Sequence, residues 1–268
     1  MSRTPPVPKG EYAVGTMTYT VCNDRTETMY CNPGGSRSVP ARVYYPVRKE
    51  SVEGLQKAQY MSEAMCKALA KTFFLPINNK ILEKKDRNRS ECFVDAPFIA
   101  GKKFPLIIFN HGYISYREGN SYLLIELASQ GYVVISVGHP YEALLTEFVC
   151  GINMDGGLFG KHEGKILKTP FLHINCETNR NVVARGLILH SKPVYHAVIK
   201  DMQHMGFSDM KHTITMKSQM GALDADIAHE TVCSIHISFF DTYLKKSKQD
   251  PAFESNDVVT FKEYSPDE

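Results

Sequence analysis

Residues 104–140 carry the pattern that most restricts the fold of this chain. They contain two short, continuous apolar runs, Leu106–Phe109 and Tyr132–Val137. Residues 120–130 separate these runs and place apolar side chains on one stripe at helical spacing: Leu123, Leu124, Leu127 and Ala128. Short apolar strands on either side of an amphipathic helix predict a β-α-β unit with parallel strands buried on both faces.

Length and composition are those of an ordinary globular protein. The 268 residues are 43% hydrophobic and 22% charged, which suits one large α/β domain. We expect a single domain over residues 1–268, with 1–10 as an extended arm and 247–268 as a polar tail that frays. The formal charge of +2, without a basic cluster interleaved with aromatics, argues against a nucleic-acid partner.

The cysteines indicate a reducing environment. They are odd in number and scattered, and no two have C-x-x-C spacing: Cys22, Cys31, Cys66, Cys92, Cys150, Cys176 and Cys233. The first residues contain no apolar signal-peptide core, and no run approaches the length of a membrane span. The sequence therefore predicts reduced, mostly buried thiols and a cytoplasmic location.

Further strands and helices flank the β-α-β unit. An antiparallel pair is expected at the start of the sheet, because turn residues 32–37 separate two strand-like segments, Tyr12–Cys22 and Ala41–Tyr45. Beyond the unit, the apolar pattern predicts a short strand ending at Asp155, two more strands and one long helix: Pro170–Cys176, Pro193–Ile199 and Asp224–Leu244.

The stretch Gln59–Phe74 has near-helical apolar spacing and Pro76 beyond its end. Two interpretations stay open. The first is a helix packed on the domain. The second is a cap, rich in Met and Phe, over an opening that accepts lipid.

Two residues follow strand ends in an order that suggests catalysis. Asp155 comes just after one buried strand, and His204 comes just after a strand nearly fifty residues later. The carboxyl ends of parallel strands meet at one edge of a sheet, where catalytic groups collect. An acid followed by a histidine is also the order that α/β-hydrolases use after their nucleophile. The alternative is that Asp155, before two glycines, only forms a turn and that His204 has no catalytic role.

The chain resembles the platelet-activating-factor acetylhydrolase family, the lipoprotein-associated phospholipase type of α/β-hydrolase. Four segments carry the resemblance: Pro105–Gly112, Leu127–Val134, Gly151–Gly156 and Met202–Asp209. The resemblance implies a mostly parallel central sheet flanked by helices. It also implies that Asp155 is the acid of a catalytic triad, His204 is its base, and the backbone N–H of Tyr113 is an oxyanion-hole donor.

By this resemblance the chain would be a serine esterase, a 1-alkyl-2-acetylglycerophosphocholine esterase. It would release short acyl groups from phospholipids or small esters and would need no cofactor and no metal. Its expected partners are an ester or phospholipid substrate and, transiently, a membrane surface. The oligomeric state is left open.

One element of the family is missing from the sequence. The family's nucleophilic serine lies in a Gly-x-Ser-x-Gly elbow before the strand that ends at the acid, and no such motif occurs in this chain. In the family that interval holds a central strand, the elbow and a helix, whereas here only residues 141–149 remain. We infer an internal deletion near 148–150 that removes the strand and helix around the elbow. The neighbouring strands would then pair directly or keep unpaired edges.

Other residues could be considered for the chemistry. Cys150 could attack as a thiolate, but it precedes the strand leading to Asp155 and should lie at the opposite end of the sheet from His204. Ser208 fits a hydrogen bond within its loop, and His139 fits a structural place at a strand end. His229, Cys233 and His236 could hold zinc at helical spacing, although the apolar residues beside them favour a packed core face.

Three hypotheses follow from the sequence. The first is a carboxylic-ester hydrolase of the acetylhydrolase type. The second is a non-catalytic hydrolase-like protein that binds a small apolar or lipid ligand or a partner. The third is a chain that does not fold stably, because its central strand is missing.

Overall fold

A computed structural model describes the fold of most of the chain. The chain forms two compact units, one of residues 3–143 and the other mainly of residues 144–268. The single domain expected from the sequence stays a prediction. The structure describes residues 5–26, 36–62, 65, 89–112, 115–138, 149–156, 168–179, 190–212, 216–247 and 250–264.

The first unit contains a mixed six-stranded sheet. Its strands lie side by side in the order β3-β4-β1-β2-β6-β5. In chain order they are β1 (Ala13–Thr26), β2 (Ser36–Val47), β3 (Lys57–Gln59), β4 (Arg89–Val94), β5 (Leu106–Asn110) and β6 (Val133–Val137).

The expected β-α-β unit is present. Strands β5 and β6 pair in parallel, and helix α1 (Ser121–Ser129) connects them. The predicted apolar stripe is buried in full: Leu123, Leu124, Leu127 and Ala128. Gly131 follows the helix with φ +92, a conformation that glycine adopts without strain. The continuous apolar runs therefore predicted both the element types and their parallel pairing.

The N-terminal segment is attached to the end of this helix. The backbone N–H of Lys9 donates to the Glu126 carboxylate at 2.9 Å, and that of Gly10 donates to Ser129 Oγ at 3.1 Å. The extended arm expected for residues 1–10 is thus fixed at its end by two hydrogen bonds to α1.

The antiparallel pair expected near the start of the chain is confirmed and is longer than the pattern indicated, because β1 and β2 pair from Ala13↔Val47 to Thr26↔Ser36. The helix predicted over Gln59–Phe74 falls almost entirely outside the described residues. Its first residue, Gln59, ends the short strand β3 instead.

The second unit contains a four-stranded sheet in the order β10-β9-β8-β7. Strands β7, β8 and β9 are parallel, as expected from their buried sequences, and β10 is antiparallel to β9. The expectation that residues 247–268 fray was therefore wrong for the segment that forms β10. The strands are β7 (Gly151–Met154), β8 (Phe171–Cys176), β9 (Val194–Ile199) and β10 (Val259–Tyr264).

Two helices follow β9 in this unit, α2 (Lys217–Met220) and α3 (Ala225–Tyr243). Asp224 caps α3, because its carboxylate accepts the backbone N–H of Asp226 at 2.8 Å. Helix α3 buries these side chains: Ala225, Ala228, Val232, Cys233, Ile235, His236, Phe239, Phe240 and Thr242. No described helix is long and apolar enough to cross a bilayer.

The strands that would flank a central strand end at sheet edges. Strand β5 is the last strand of the first sheet and β7 the last strand of the second, as far as the described residues show. One face of β5 leaves large apolar side chains in solvent, with Leu106 50% and Ile108 43% exposed, while Ile107 on the other face is 8% exposed. The inferred loss of the strand that carries the elbow stays a prediction.

Truncating the two neighbouring isoleucines of β5 should have very different effects. Ile107→Ala should lower the free energy of unfolding by about 2 to 5 kcal/mol, because it leaves a cavity in the core. Ile108→Ala should cost less than about 1 kcal/mol, because its side chain already contacts water. Urea unfolding of both variants measures the difference. Equal losses would mean that another surface covers this face in solution.

Candidate active site

Asp155 lies where strand β7 ends. Its backbone N–H still donates to Ile174 O of β8 at 2.7 Å, and the residue then turns with φ +50. Strand β8 is parallel to β7, so both strands end at the same edge of the sheet. The side chain of Asp155 is 0% exposed. Parallel pairing thus places a fully buried carboxylate at the carboxyl edge of the sheet, as the sequence predicted.

His204 reaches this carboxylate from the loop after β9. It is the first residue of a short 3-10 turn, His204–Phe207. Its Nδ1 lies 2.7 Å from Asp155 Oδ2, while its side chain is 63% exposed. The two residues that the sequence selected, 49 positions apart, are therefore direct partners.

Three nitrogen donors besides His204 bind the carboxylate of Asp155, and sequence reasoning missed all of them. Oδ1 accepts the backbone N–H of Cys176 at 2.9 Å and the side-chain amide of Asn175 at 3.2 Å. Oδ2 accepts the side-chain amide of Asn179 at 2.8 Å. The available signal was their position, since Asn175 is the second-to-last residue of β8 and Asn179 lies three residues beyond that strand.

These contacts set the ionisation of the pair. Burial by itself raises the pKa of Asp155, but the hydrogen bonds from His204, Cys176, Asn179 and Asn175 outweigh it and lower this pKa below the usual range. The hydrogen bond to Asp155 raises the pKa of His204, against a smaller opposite effect of burial.

The protonation of the imidazole follows from this ionisation. A carboxylate can only accept hydrogen bonds, so Nδ1 of His204 must carry the proton that it donates to Asp155. Nε2 of the neutral ring then keeps its lone pair, and no described residue is hydrogen-bonded to it. The exposed side of the ring is thus available to accept a proton from another group.

The remaining sequence candidates have different outcomes. Tyr113, the proposed oxyanion donor, and His139 lie outside the described residues. Ser208 donates to Met205 O at 2.8 Å, which is the expected hydrogen bond within its loop. Burial raises the pKa of the Cys150 thiol to about 12, so this residue stays protonated near neutral pH and is a poor nucleophile.

The histidines of α3 have a structural environment. Burial lowers the pKa of His236 to about 4, and its Nδ1 lies 2.8 Å from Val232 O. The described residues contain no group of three or more His, Cys, Asp or Glu that could hold a metal ion. These contacts agree with a packed core face rather than a zinc site.

Comparison with known proteins identifies the family of the chain. A protein-family model described as "Platelet-activating factor acetylhydrolase, isoform II" matches residues 2–150. The chain belongs to this family. The match covers the β-α-β unit and ends before β7, so Asp155 and His204 lie outside it. The sequence-based recognition of the acetylhydrolase family is thereby confirmed.

Two named acetylhydrolases align with short parts of the chain. Platelet-activating factor acetylhydrolase of Gallus gallus is 39% identical over 56 residues, which are 21% of this chain and 13% of the chicken protein. The Cavia porcellus protein of the same name is 45% identical over 49 residues, 18% of this chain and 11% of its own length. The aligned segments thus span only a small part of these relatives.

A solved structure matches nearly the whole chain. Ferulic acid esterase from Streptomyces cinnamoneus superposes with a TM-score of 0.78 over 97% of this chain and 99% of its own, at 17% sequence identity. At this identity the match shows the fold alone. It confirms the α/β-hydrolase class that the sequence indicated.

The pKa of His204 provides a direct check of the site. An NMR titration of its ring nitrogens should give a pKa above the usual value of about 6.5. Asp155→Asn should lower this pKa, because an amide cannot balance the charge of the imidazolium. An unchanged pKa in the variant would show that the two side chains are not paired in solution.

Proposed function

We propose that this chain is a carboxylic-ester hydrolase that releases short acyl groups from phospholipids or small esters. The observation that carries the proposal is the hydrogen bond of 2.7 Å between His204 Nδ1 and the buried carboxylate of Asp155. Membership of the acetylhydrolase family supports the choice of substrate class.

In the proposed reaction His204 transfers protons, and Asp155 orients the imidazole ring of His204. Nε2 takes the proton from the attacking hydroxyl group as that group bonds to the ester carbonyl carbon. The imidazolium that forms is stabilised by the ionised Asp155, and it then protonates the departing alkoxide. Because His204 must be neutral to accept a proton, the rate should rise with pH through its raised pKa, above about 6.5.

The mechanism can use either of two attacking hydroxyl groups, a serine of the chain or a water molecule. The sequence contains no Gly-x-Ser-x-Gly, Ser208 is hydrogen-bonded within its own loop, and the Cys150 thiol is protonated near neutral pH. A serine elsewhere in the chain would form an acyl-enzyme that water then hydrolyses. A water molecule attacking directly would complete the reaction in one displacement.

The absence of the elbow favours one second candidate, a non-catalytic relative that binds a small apolar or lipid ligand or a partner. In this function Asp155 and His204 would be kept for the structure of the sheet edge alone. The two candidates differ in a single observable, namely turnover that depends on His204.

We also propose a cytoplasmic location and transient contact with a membrane surface where the substrate is a phospholipid. Free thiols at four described cysteines support a reducing compartment: Cys22, Cys92, Cys150 and Cys176. The substrates remain an ester or phospholipid, without cofactor, metal or nucleic acid.

Hydrolysis of a short-chain nitrophenyl ester tests the enzymatic proposal. His204→Ala should reduce kcat/KM by about 100-fold or more, which is the usual contribution of a general base. His190→Ala is the matched control, because accessible imidazoles also cleave activated esters and the His190 side chain is hydrogen-bonded to Lys192 O rather than to Asp155. The proposal would be contradicted if kcat/KM fell by the same factor in His204→Ala and His190→Ala. It would also be contradicted if neither variant lowered kcat/KM.

The nucleophile can be identified in the same preparation. A fluorophosphonate that labels one serine, mapped by mass spectrometry and lost in His204→Ala, would establish an acyl-enzyme. Turnover without any label would establish direct attack by water.

A further inference from the structure

Asn179 shares an oxygen atom of Asp155 with the base. Oδ2 of Asp155 accepts the side-chain amide of Asn179 at 2.8 Å and lies 2.7 Å from Nδ1 of His204. Asn179 is the last residue of a short 3-10 turn, Glu177–Asn179, that follows β8 directly. It therefore approaches the carboxylate from a different element than His204 does.

We propose that Asn179 is a positioning residue, which fixes Oδ2 of Asp155 against Nδ1 of His204 and so determines which ring nitrogen of His204 carries the proton. This role matters for catalysis only if the proposed hydrolase function is correct, and to that extent the inference rests on the proposed function. Its physical content, the tautomer of one histidine, does not depend on turnover.

The division of donors between the two oxygens explains why Asn179 matters. The backbone N–H of Cys176 and the amide of Asn175 both bind Oδ1. These two donors hold one oxygen and leave the other to be oriented by its own partners. Besides His204, Oδ2 has the amide of Asn179 and, at 3.4 Å, the thiol of Cys176, which is a weak donor. Asn179 is thus the strong fixed donor to the oxygen that faces the base.

The chemistry of an amide suits this role. An amide does not titrate, so it donates to the carboxylate at every pH at which the protein is folded. A lysine at position 179 would add a positive charge that competes with the imidazolium for Oδ2 of Asp155. An aspartate at position 179 would repel the carboxylate of Asp155. The titratable groups that contact the carboxylate in the described part of the chain are His204 and Cys176. Burial raises the pKa of the Cys176 thiol, which therefore stays neutral.

The test measures the tautomer of His204 by ¹⁵N NMR of the ring nitrogens in the full chain. The parent should show the neutral ring protonated at Nδ1. In Asn179→Leu and Asn179→Ala the ratio of the Nε2–H to the Nδ1–H form should rise about threefold or more, because the oxygen is no longer fixed. The acid dissociation constant of Asp155, followed by ¹³C NMR, should fall about tenfold with the loss of this donor.

Two variants separate positioning from a merely structural role. Asn179→Gln keeps an amide and should restore most of the parent tautomer ratio. Thr178→Val alters the same turn, where Thr178 contacts Cys176 and Gln203 but not Asp155, and should leave the ratio unchanged. Asn179 is partly exposed, so its Ala variant only removes atoms from the surface and carries the test if the Leu variant does not fold.

The inference is overturned if both donor-less variants keep the parent tautomer ratio, or if Thr178→Val shifts the ratio as far as they do. A chain that hydrolyses no ester yet shows the expected shifts would confirm the positioning role and count against the proposed function. The tautomer ratio of His204 therefore tests the positioning role, and ester hydrolysis tests the proposed function.

Discussion

The carboxylate of Asp155 is completely removed from solvent, and a buried charge is stable only where donors replace its water shell. Backbone, amide and imidazole groups supply those donors, and each comes from the end of a strand of the second sheet or from the residues that follow it. If any of β7, β8 or β9 were shifted along its neighbour, the donors would miss the carboxylate. The ionisation of Asp155 thus depends on the register of the three parallel strands.

This constraint also explains why Asp155 and His204 are paired although no nucleophile is evident. The hydrogen bond to Asp155 orients His204 from one side, and the other side of the ring stays exposed. The nitrogen donors to Asp155 come from residues 175–204, which follow residues 141–149 in the chain. The pairing of Asp155 with His204 therefore does not depend on a Gly-x-Ser-x-Gly motif, which the sequence lacks.

The edge strand β5 has one face that the described residues leave uncovered. Strand β5 ends its sheet with Leu106 and Ile108 in contact with solvent, a face that its continuous apolar sequence is built to bury. Exposed apolar edge strands are prone to pair with other chains. The sequence of β5 still specifies a strand with two covered faces, whereas the described fold covers one.

Elements with a strong apolar period were predictable, since burial dictates that period. The β-α-β unit, the parallel strands β7 to β9 and helix α3 belong to this group. Strand β10 was missed because its sequence mixes Val259 and Phe261 with charged residues, as edge strands do, and only pairing with β9 makes it a strand. Asn179 was missed because a single asparagine in a turn forms no pattern.

The sequence by itself determined the family, the class of fold and the two residues, Asp155 and His204, that the structure brings into contact. Each of these is recorded in local motifs and in the order of elements along the chain. The tertiary structure alone decided the distance between Asp155 and His204, the four donors that keep the carboxylate charged, and the uncovered face of β5. These depend on contacts between residues far apart in the chain, whose distances and directions no local pattern encodes.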